Sequence, residues 1–423
     1  MTRRGSGRSI WLGVAVLVAI SLALAWLLDY AADVSSHLTV VRHYARTWRW
    51  MTPEQWELGP ERGHGYHLFS PVPYAPYVPF EFLQQHVGWL HGGERGRFVV
   101  RLGGVAILVA QLAATIAIVR RMCPACSRSE GVLVAVASNL VPQLRYLHAY
   151  PNADAVTILA GTLAFAVALR VLQRSALTLR DAILVGGTLG LAAHGRYTVF
   201  VVAGLLLTLF VGRVVLGRLG PRTTYRFVGT AVAIPLLVAA PMHLHVYNEL
   251  DNGHLLATVD NEQLALSTFE GDVRDVSMTA EFVRSRVRLV PTVWQSTWLS
   301  FEDYAELRGA WLGVLLGGVL AGVVGCFVRR STIFARHGRV IAICAVAAVG
   351  ITWAVGMFQR VSLLPGRFLL AAGVTALTGV ILGNAVLVER LTGVRRPVLV
   401  SATAWAVFLA GLNVWGIARV AAA

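Results

Sequence analysis

Long apolar runs dominate the sequence, and they restrict the chain to helices that cross a membrane. Of the 423 residues, 56% are apolar and only 14% are charged, whereas a soluble globular chain carries about 25% charged residues. A helix of about 20 apolar residues crosses a bilayer because it satisfies its own backbone hydrogen bonds. The sequence therefore predicts an all-α polytopic membrane protein that forms a single domain over residues 1–423. About eleven transmembrane helices are predicted, over residues 10–28, 99–119, 131–144, a run that ends near 169, 182–193, 197–211, 227–245, 309–328, 340–358, 368–388 and 398–417.

Arginine supplies all 37 basic residues, and its distribution predicts the orientation of the helices. A net charge of +15 is compatible with nucleic-acid binding, but the arginines lie in short loops between apolar runs, as is typical of cytoplasmic loops. Arg3, Arg4 and Arg8 therefore predict a cytoplasmic N-terminus. The first apolar run has no small-residue cleavage site and is predicted to be a retained helix. Two long polar segments, 29–98 and 246–307, are predicted to lie on the outer side of the membrane.

The first outer segment contains two amphipathic stretches with a proline-rich stretch between them. Residues 40–51 mix tryptophan and valine with arginine, and residues 80–90 place apolar side chains at near-helical spacing. Both are predicted to be helices that lie in the membrane interface. The density of proline in residues 70–79 predicts an extended segment. That segment is either a spacer or an aromatic wall against which a sugar or a lipid packs.

Four cysteines do not make a disulfide framework in a chain of this length. Cys123 and Cys126 form a lone Cys-x-x-Cys pair, and a structural zinc site would need two further ligands. No second pair follows, since Cys326 and Cys344 lie inside apolar runs. We therefore expect free thiols in a reducing loop rather than a metal or redox site.

Ionisable side chains are nearly absent from the apolar runs and collect at the ends that are predicted to face outward. In a membrane such groups are costly unless they sit at the interface or line a cavity, so a cluster of them indicates a functional site. A coupled transporter usually places them near the membrane midplane, whereas an enzyme that acts on a lipid head group needs them at the interface. The outer set comprises Asp29, Asp33, His37, His148, Asp154, His194, Arg196 and Arg367.

The part of this set closest to the N-terminus follows the first apolar run. If the chain stays helical there, Asp33 and His37 are four residues apart and share a helix face with Asp29, which lies one turn earlier. The cluster is either an ordinary polar helix end or part of a site.

These residue types suit the transfer of a group from a lipid phosphate. An acceptor hydroxyl loses a proton as it attacks, and Asp33 or Asp154 could take it as general base. The leaving phosphate needs cations, and arginine offers its oxygens a bidentate match, which Arg196 and Arg367 could supply. The simpler alternatives are that Arg196 snorkels at a hairpin tip, that Arg367 anchors a helix end and that the histidines cap helices.

Four short motifs lie in the predicted outer loops: DVSSH at 33–37, YPNADA at 150–155, GLAAHGRYT at 190–198 and PGRFLL at 365–370. Together they resemble motifs of the GT-C superfamily, the integral membrane glycosyltransferases that use polyprenyl-phosphate sugars and include protein O-mannosyltransferases and aminoarabinose transferases. The first resembles an Asp-Glu-x-x-His pattern after the first span, and the second resembles a carboxylate site that opens a later span. The third is similar to Gly-Leu-Ala-x-x-x-Lys-Tyr-Thr, with Arg196 at the lysine. The fourth is similar to Gly-Arg-Tyr-Leu-x-Pro, without its last proline.

The resemblance implies a GT-C-like fold and an inverting transfer by a hexosyl- or pentosyltransferase with a periplasmic catalytic face. Val34 replaces the usual second acidic residue, which argues against a metal at paired carboxylates and makes Asp33 with Asp154 the expected catalytic pair, without a cofactor. The expected partners are a polyprenyl-phosphate-linked sugar donor, membrane lipids and a glycan, lipid or protein acceptor in the cell envelope, and no nucleic acid. A transporter or flippase of a lipid-linked or anionic solute is the alternative. The expected substrate-binding residues are Asp29, His37, His148, His194, Arg196, Tyr197 and Arg367.

Overall fold

The computed structural model is helical throughout the part of the chain that it describes. It describes residues 5–27, 34–49, 70–90, 93–195, 197–217, 219–250, 294–295, 297–298, 310–328, 331–358 and 369–422. In these ranges, α-helices are joined by turns and short 3-10 helices, and no strand occurs. The α-helices are α1 (Gly5–Leu27), α2 (Val34–Thr47), α3 (Val78–His86), α4 (Gly93–Met122), α5 (Arg128–Asn139), α6 (Pro142–His148), α7 (Ala153–Gln173), α8 (Leu179–Ala193), α9 (Phe200–Leu216), α10 (Pro221–Leu250), α11 (Ala310–Phe327), α12 (Arg336–Phe358), α13 (Leu370–Thr392) and α14 (Pro397–Ala422).

The helices have the lengths and compositions of a membrane bundle. Seven of those in the described ranges are long and apolar enough to cross a membrane, and α1 and α9 carry shorter apolar stretches. Large apolar side chains such as Leu236 and Leu237 of α10 are exposed on the outside, as is typical of side chains that face lipid. The expected all-α polytopic membrane fold is thus confirmed. The total of eleven spans stays a prediction, because α8 has only 15 residues and the third predicted span is divided.

The third predicted span consists of α5 and α6. Pro142 opens α6, and it cannot continue the helix from α5 because proline has no N–H to donate. At the break, the side-chain amide of Asn413 in α14 donates to the Leu140 carbonyl oxygen at 2.7 Å. Every residue of α6 is buried. The break and this short helix therefore lie within protein, where irregular backbone is tolerated in a membrane.

Local capping signals determine where several helices begin. Ser127 and Glu130 form a reciprocal capping box at α5, and Thr178 and Asp181 form the same box at α8. The fully buried carboxylate of Asp181 also pairs with the Arg170 guanidinium of α7 at 2.7 Å. These contacts tie the adjoining ends of α7 and α8 together through residues that are close in sequence.

Helix α13 is the centre of the bundle. It packs against α4, α5, α7, α11, α12 and α14, and most of its residues are buried. Its approach to α11 depends on glycine, because a Cβ on Gly383 would overlap the Gly322 carbonyl oxygen and one on Gly325 would overlap the Gly383 carbonyl oxygen. Small residues favour helix association in a membrane, since lipid tails leave close packing to supply the attraction.

The first outer segment is helical where it is described. Helices α2 and α3 overlap the two predicted helices of residues 40–51 and 80–90, and their location in the membrane interface stays a prediction. Arg42 of α2 pairs with the buried Glu81 of α3 at 3.6 Å. The prediction that residues 70–79 are extended is wrong, because Val72–Tyr74 form a 3-10 helix and a further turn leads into α3. Proline fixes φ near −65°, which suits the first turn of a helix as well as an extended chain. Pro71 has φ −63° and ψ −23°.

The cysteine prediction is also corrected. Cys123 and Cys126 are joined by a disulfide bond, so the expectation of free thiols at this pair is wrong. The spacing of the pair is visible in the sequence, but whether the turn brings the two sulfurs together depends on its backbone. Cys326 and Cys344 are free thiols.

The second outer segment, 246–307, falls largely outside the described residues. Within it the structure describes the end of α10 and the short helical pieces 294–295 and 297–298. The extents of this segment and of the first outer segment, 29–98, stay predictions.

Gly383→Val should destabilise the bundle, because the added side chain meets the α11 backbone and overpacking costs about 1–3 kcal/mol. Gly411→Val in α14 is the control, since nothing lies within 4 Å of a Cβ at that position. Thermal unfolding in detergent should give a lower Tm for Gly383→Val and an unchanged Tm for Gly411→Val. Equal Tm values for both variants would show that the α11–α13 contact does not depend on glycine.

Candidate active site

A short segment of the first outer loop, Ser70–Tyr77, lies at the centre of a polar cluster and is called the tyrosine segment below. Its Tyr74 hydroxyl shares a hydrogen bond with His37 Nδ1 of α2 at 2.7 Å, and both side chains are fully buried. The His37 ring also lies 6.2 Å from the Tyr150 ring, centroid to centroid. The predicted binding residue His37 is therefore held by aromatic groups from two other parts of the chain.

Tyr77 connects the tyrosine segment to the start of α7. Its hydroxyl donates to the Tyr150 carbonyl oxygen at 3.3 Å. Burial raises the pKa of the Tyr77 hydroxyl above its usual value, the Asn152 backbone partly opposes the rise and the charge of Asp154 adds to it. The hydroxyl therefore keeps its proton and remains a donor at any physiological pH.

Asp154 lies in the first turn of α7. Asn152 caps this helix, because its Oδ1 accepts from the Asp154 N–H at 2.6 Å while its Nδ2 donates to the Tyr150 hydroxyl at 2.6 Å. The Asp154 side chain is only 3% exposed. The Tyr-Pro-Asn-Ala-Asp motif thus places an acidic group at the N-terminal end of a buried helix.

His194 joins the same cluster from the turn after α8. Its Nδ1 shares a hydrogen bond with the Ser70 hydroxyl at 2.7 Å, and its Nε2 lies 3.1 Å from the Val238 carbonyl oxygen. A carbonyl oxygen can only accept, so Nε2 carries the proton and Nδ1 accepts from Ser70 if the ring is neutral. The adjacent Gly195 approaches α7, because a Cβ there would lie 3.0 Å from Thr157 Oγ1. The tyrosine segment therefore links α2, α7 and the α8–α9 turn.

His148 is placed differently from the other two histidines. It ends α6, is fully buried, and its Nδ1–H donates to the Leu144 carbonyl oxygen of its own helix at 2.7 Å. Gly104 of α4 packs directly against the His148 carbonyl oxygen. This geometry fits the helix-capping alternative as well as a binding role.

The other predicted site residues lie wholly or partly outside the described residues. Asp29, Asp33, Arg196 and Arg367 lie outside the described residues. Tyr197 begins the 3-10 helix Tyr197–Val199 between α8 and α9, and its side chain is outside the described part as well. In the described ranges, no group of three or more His, Cys, Asp or Glu side chains could hold a metal ion.

Two buried arginines near α1 were missed by the sequence prediction. Arg101 is 2% exposed and donates from Nη1 to the Ala25 carbonyl oxygen at 2.7 Å. Arg145 is fully buried and donates from Nη1 to Ser21 Oγ at 3.2 Å. The sequence could have indicated both residues, because each is an arginine in a mainly apolar stretch. An ionisable residue within a membrane span is a functional candidate by default.

An apolar cavity of about 290 Å³ opens between α11, α12 and α13. It extends from the first residues of α13 to about the middle of the bundle, and its lining is almost entirely hydrophobic. Its lining includes Trp294, Trp298, Trp353, Leu369 and Leu370. Leu369 follows the predicted phosphate-binding Arg367 by two residues.

No protein-family model matches the chain, and a search of curated proteins finds no match. Solved structures do match it, and they show what fold the chain has. One is ArnT from Cupriavidus metallidurans in the apo state, with a TM-score of 0.54 and 13% identity over 96% of this chain and 76% of that chain. Another is the apo oligosaccharyltransferase of Archaeoglobus fulgidus, with a TM-score of 0.50 and 14% identity over 97% of this chain and 56% of that chain.

The chain thus spans little more than half the length of the archaeal protein. At these identities the likeness shows the fold alone. This fold agrees with the one that the GT-C resemblance of the four motifs implies.

Tyr74→Phe and His37→Ala should be energetically coupled, because each removes one side of a buried hydrogen bond. A double-mutant cycle on thermal or denaturant unfolding should give a coupling free energy of about 0.5–3 kcal/mol. Tyr225→Phe is the control, since Tyr225 is 76% exposed in α10 and its cycle with His37→Ala should give no coupling. A coupling near zero for the Tyr74 cycle would contradict the arrangement of α2 on the tyrosine segment.

Proposed function

We propose that the protein is an inverting glycosyltransferase that moves a sugar from a polyprenyl-phosphate donor to an acceptor hydroxyl of the cell envelope. The observation that carries the proposal is the meeting of His37, Asp154 and His194 around the tyrosine segment, in a chain with the GT-C fold. Polar groups from distant parts of the chain converge at the outer ends of helices rather than at mid-bundle. That location suits chemistry on a lipid head group.

In the proposed reaction, Asp33 is the general base. It takes the proton of the acceptor hydroxyl as the acceptor oxygen attacks the anomeric carbon. The new glycosidic C–O bond forms while the bond from the anomeric carbon to the phosphate oxygen breaks, so the configuration inverts. Asp154 is the second carboxylate of the pair and binds or orients the acceptor together with His37.

The leaving group in this reaction is the polyprenyl phosphate, which departs with the bonding electrons. Arg196 and Arg367 are proposed to hold its phosphate, because guanidinium groups match phosphate oxygens with two hydrogen bonds each. The other proposed substrate-binding residues are Asp29, His148, His194 and Tyr197.

The apolar cavity supports a lipid-linked donor. It is lined by aromatic and aliphatic side chains from α11, α12 and α13 and has an almost wholly apolar wall. An isoprenoid chain gains about 0.8 kcal/mol for each methylene that it buries against such a surface. The cavity begins at Leu369 and Leu370, and Arg367 precedes Leu369 by two residues in the sequence. We therefore propose that the phosphate of a lipid whose chain fills the cavity lies close to Arg367.

The similar structures support the reaction class. The archaeal protein is an oligosaccharyltransferase, and glycosyl transfer at a membrane is therefore compatible with this fold. We propose a bacterial inner-membrane location with a cytoplasmic N-terminus and a periplasmic site. The sugar is proposed to be a hexose or a pentose, and the acceptor a glycan, a lipid or a protein.

The proposal is tested with purified protein in nanodiscs and a radiolabelled polyprenyl-phosphate sugar. A glycosyltransferase yields a labelled acceptor, or free polyprenyl phosphate when water is the acceptor. A transporter or flippase would instead move the labelled lipid across the membrane of a proteoliposome without breaking the sugar–phosphate bond. Transport with no bond cleavage would reject the transferase.

Asp33→Asn and Asp154→Asn should each lower the transfer rate by about 10²–10⁴-fold, the contribution expected of a positioned acid–base group. Glu389→Gln is the control, because Glu389 is a carboxylate of the last turns of α13 that accepts from Thr332 far from the tyrosine segment. All three variants should keep the wild-type Tm within error. Full activity of Asp33→Asn would remove the base assignment, and full activity of Asp154→Asn would remove the carboxylate pair.

Arg196→Ala should weaken donor binding more than it slows the chemical step. A lost charge-assisted hydrogen bond costs about 1.5–3 kcal/mol, so KM for the donor should rise by about 10–100-fold. Arg226→Ala is the matched control, because this arginine lies near the start of α10, is exposed and is predicted to face the cytoplasm. An unchanged donor KM in Arg196→Ala would leave the snorkelling alternative as the explanation.

A further inference from the structure

The turn between α4 and α5 carries a bonded cysteine pair that the proposed transfer reaction does not use. Cys123 directly follows α4, and its N–H donates to the Val119 carbonyl oxygen at 2.8 Å. The Cys126 N–H donates to the Cys123 carbonyl oxygen at 3.1 Å, so the backbone turns back on itself and the two sulfurs form a disulfide. A Cys-x-x-Cys pair just before a helix N-terminus has the arrangement of reactive dithiols.

The two cysteines differ in accessibility. Cys123 is 2% exposed, whereas Cys126 is partly exposed and the two residues between them are exposed. An external thiolate attacks the sulfur that it can reach. Cys126 is therefore the sulfur open to exchange, and Cys123 is its buried partner.

Basic residues flank this turn in the sequence. Arg120 and Arg121 lie in the last turn of α4, and Arg128 begins α5. The nearby acidic group is already engaged, because the Glu130 carboxylate accepts from both the N–H and the hydroxyl of Ser127. Cations and a helix N-terminus both stabilise a thiolate, which is the reactive form of cysteine.

The turn is also held in place by contacts other than the disulfide. The Ala335 N–H donates to the Met122 carbonyl oxygen at 2.8 Å, and Gly338 of α12 packs against the Met122 backbone. The two sulfurs should therefore remain opposite each other after the bond is reduced. Such preorganisation favours reversible bond formation over a permanent cross-link.

We propose that Cys123 and Cys126 form a redox-active site that cycles between disulfide and dithiol by exchange with a dithiol reductant and a small disulfide oxidant. The arginine distribution places this turn on the face that is predicted to be cytoplasmic. Disulfides in a reducing compartment are usually transient and catalytic or redox-sensing rather than structural. The site is independent of the proposed transfer reaction.

In the reductive half of the cycle, a thiolate of the dithiol reductant attacks Cys126 Sγ. The S–S bond breaks, and Cys123 leaves as a thiolate that takes up a proton. The second thiol of the reductant then attacks the mixed disulfide and releases Cys126 as a thiolate, which is protonated in turn. The protein gains two electrons and two protons, and the reductant becomes a disulfide. Exchange with a small disulfide oxidant runs the same steps in reverse.

The first test is acid quenching of the full-length protein in nanodiscs, followed by alkylation with N-ethylmaleimide and peptide mass spectrometry. As isolated, Cys123 and Cys126 should be unmodified. After incubation of the folded protein with dithiothreitol both should be alkylated, and later addition of oxidised glutathione should restore the disulfide. Alkylation of the pair before any reductant is added would overturn the proposal, and so would a disulfide that is reduced only after denaturation.

The second test compares two variants that each keep one cysteine of the pair. Cys123→Ser leaves the accessible Cys126, and Cys126→Ser leaves the buried Cys123. With oxidised glutathione, Cys123→Ser should form the mixed disulfide at least about tenfold faster than Cys126→Ser. The buried Cys326, which lies within α11 and donates to the Gly379 carbonyl oxygen, is the internal control and should not react. Equal rates in the two variants would overturn the assignment of Cys126 as the exchanging sulfur.

Discussion

Polar groups inside a bilayer have no water to bond with, and this constraint shapes every part of the bundle. Backbone groups are satisfied within helices, and where the helix breaks between α5 and α6, the Asn413 amide supplies the missing partner for Leu140. Side-chain charge is removed from the spans or buried against backbone, as with Arg101 on the Ala25 carbonyl. A reaction that needs water and ionised groups can therefore take place only at the ends of the helices.

The tyrosine segment is what makes one site out of those separate helix ends. Tyr74 bonds His37 of α2, Tyr77 bonds the chain before α7, and Ser70 bonds His194 after α8. Each bond is buried, so each is energetically costly to break and leaves a polar group without a partner. The first outer loop is thus part of the framework of the site, which explains why its prolines occur in compact turns and not in an extended spacer.

The secondary structure was largely predictable because it depends on local rules. Hydrophobic length and amphipathic spacing predicted most of the described helices, and the four motifs indicated a fold that agrees with the matching solved structures. Residues 70–79 and the cysteine pair were predicted wrongly for a common reason. Proline is compatible with both an extended chain and the first turn of a helix. A Cys-x-x-Cys spacing does not specify whether the turn brings the two sulfurs together. In both cases the backbone conformation is set by neighbours that are distant in sequence.

By itself, the sequence determined that this chain is a membrane bundle and that its carboxylates, imidazoles and arginines collect at helix ends. Both follow from local properties, namely the length of each apolar run and the free-energy cost of placing a charged side chain in the membrane. Only the tertiary structure decided that Tyr74 and Ser70 bond His37 and His194, that Tyr77 bonds the Tyr150 carbonyl oxygen before α7, and that Gly383 sets how closely α13 approaches α11. These partners are separated by tens of residues. No periodicity links them, and the meeting depends on how whole helices pack.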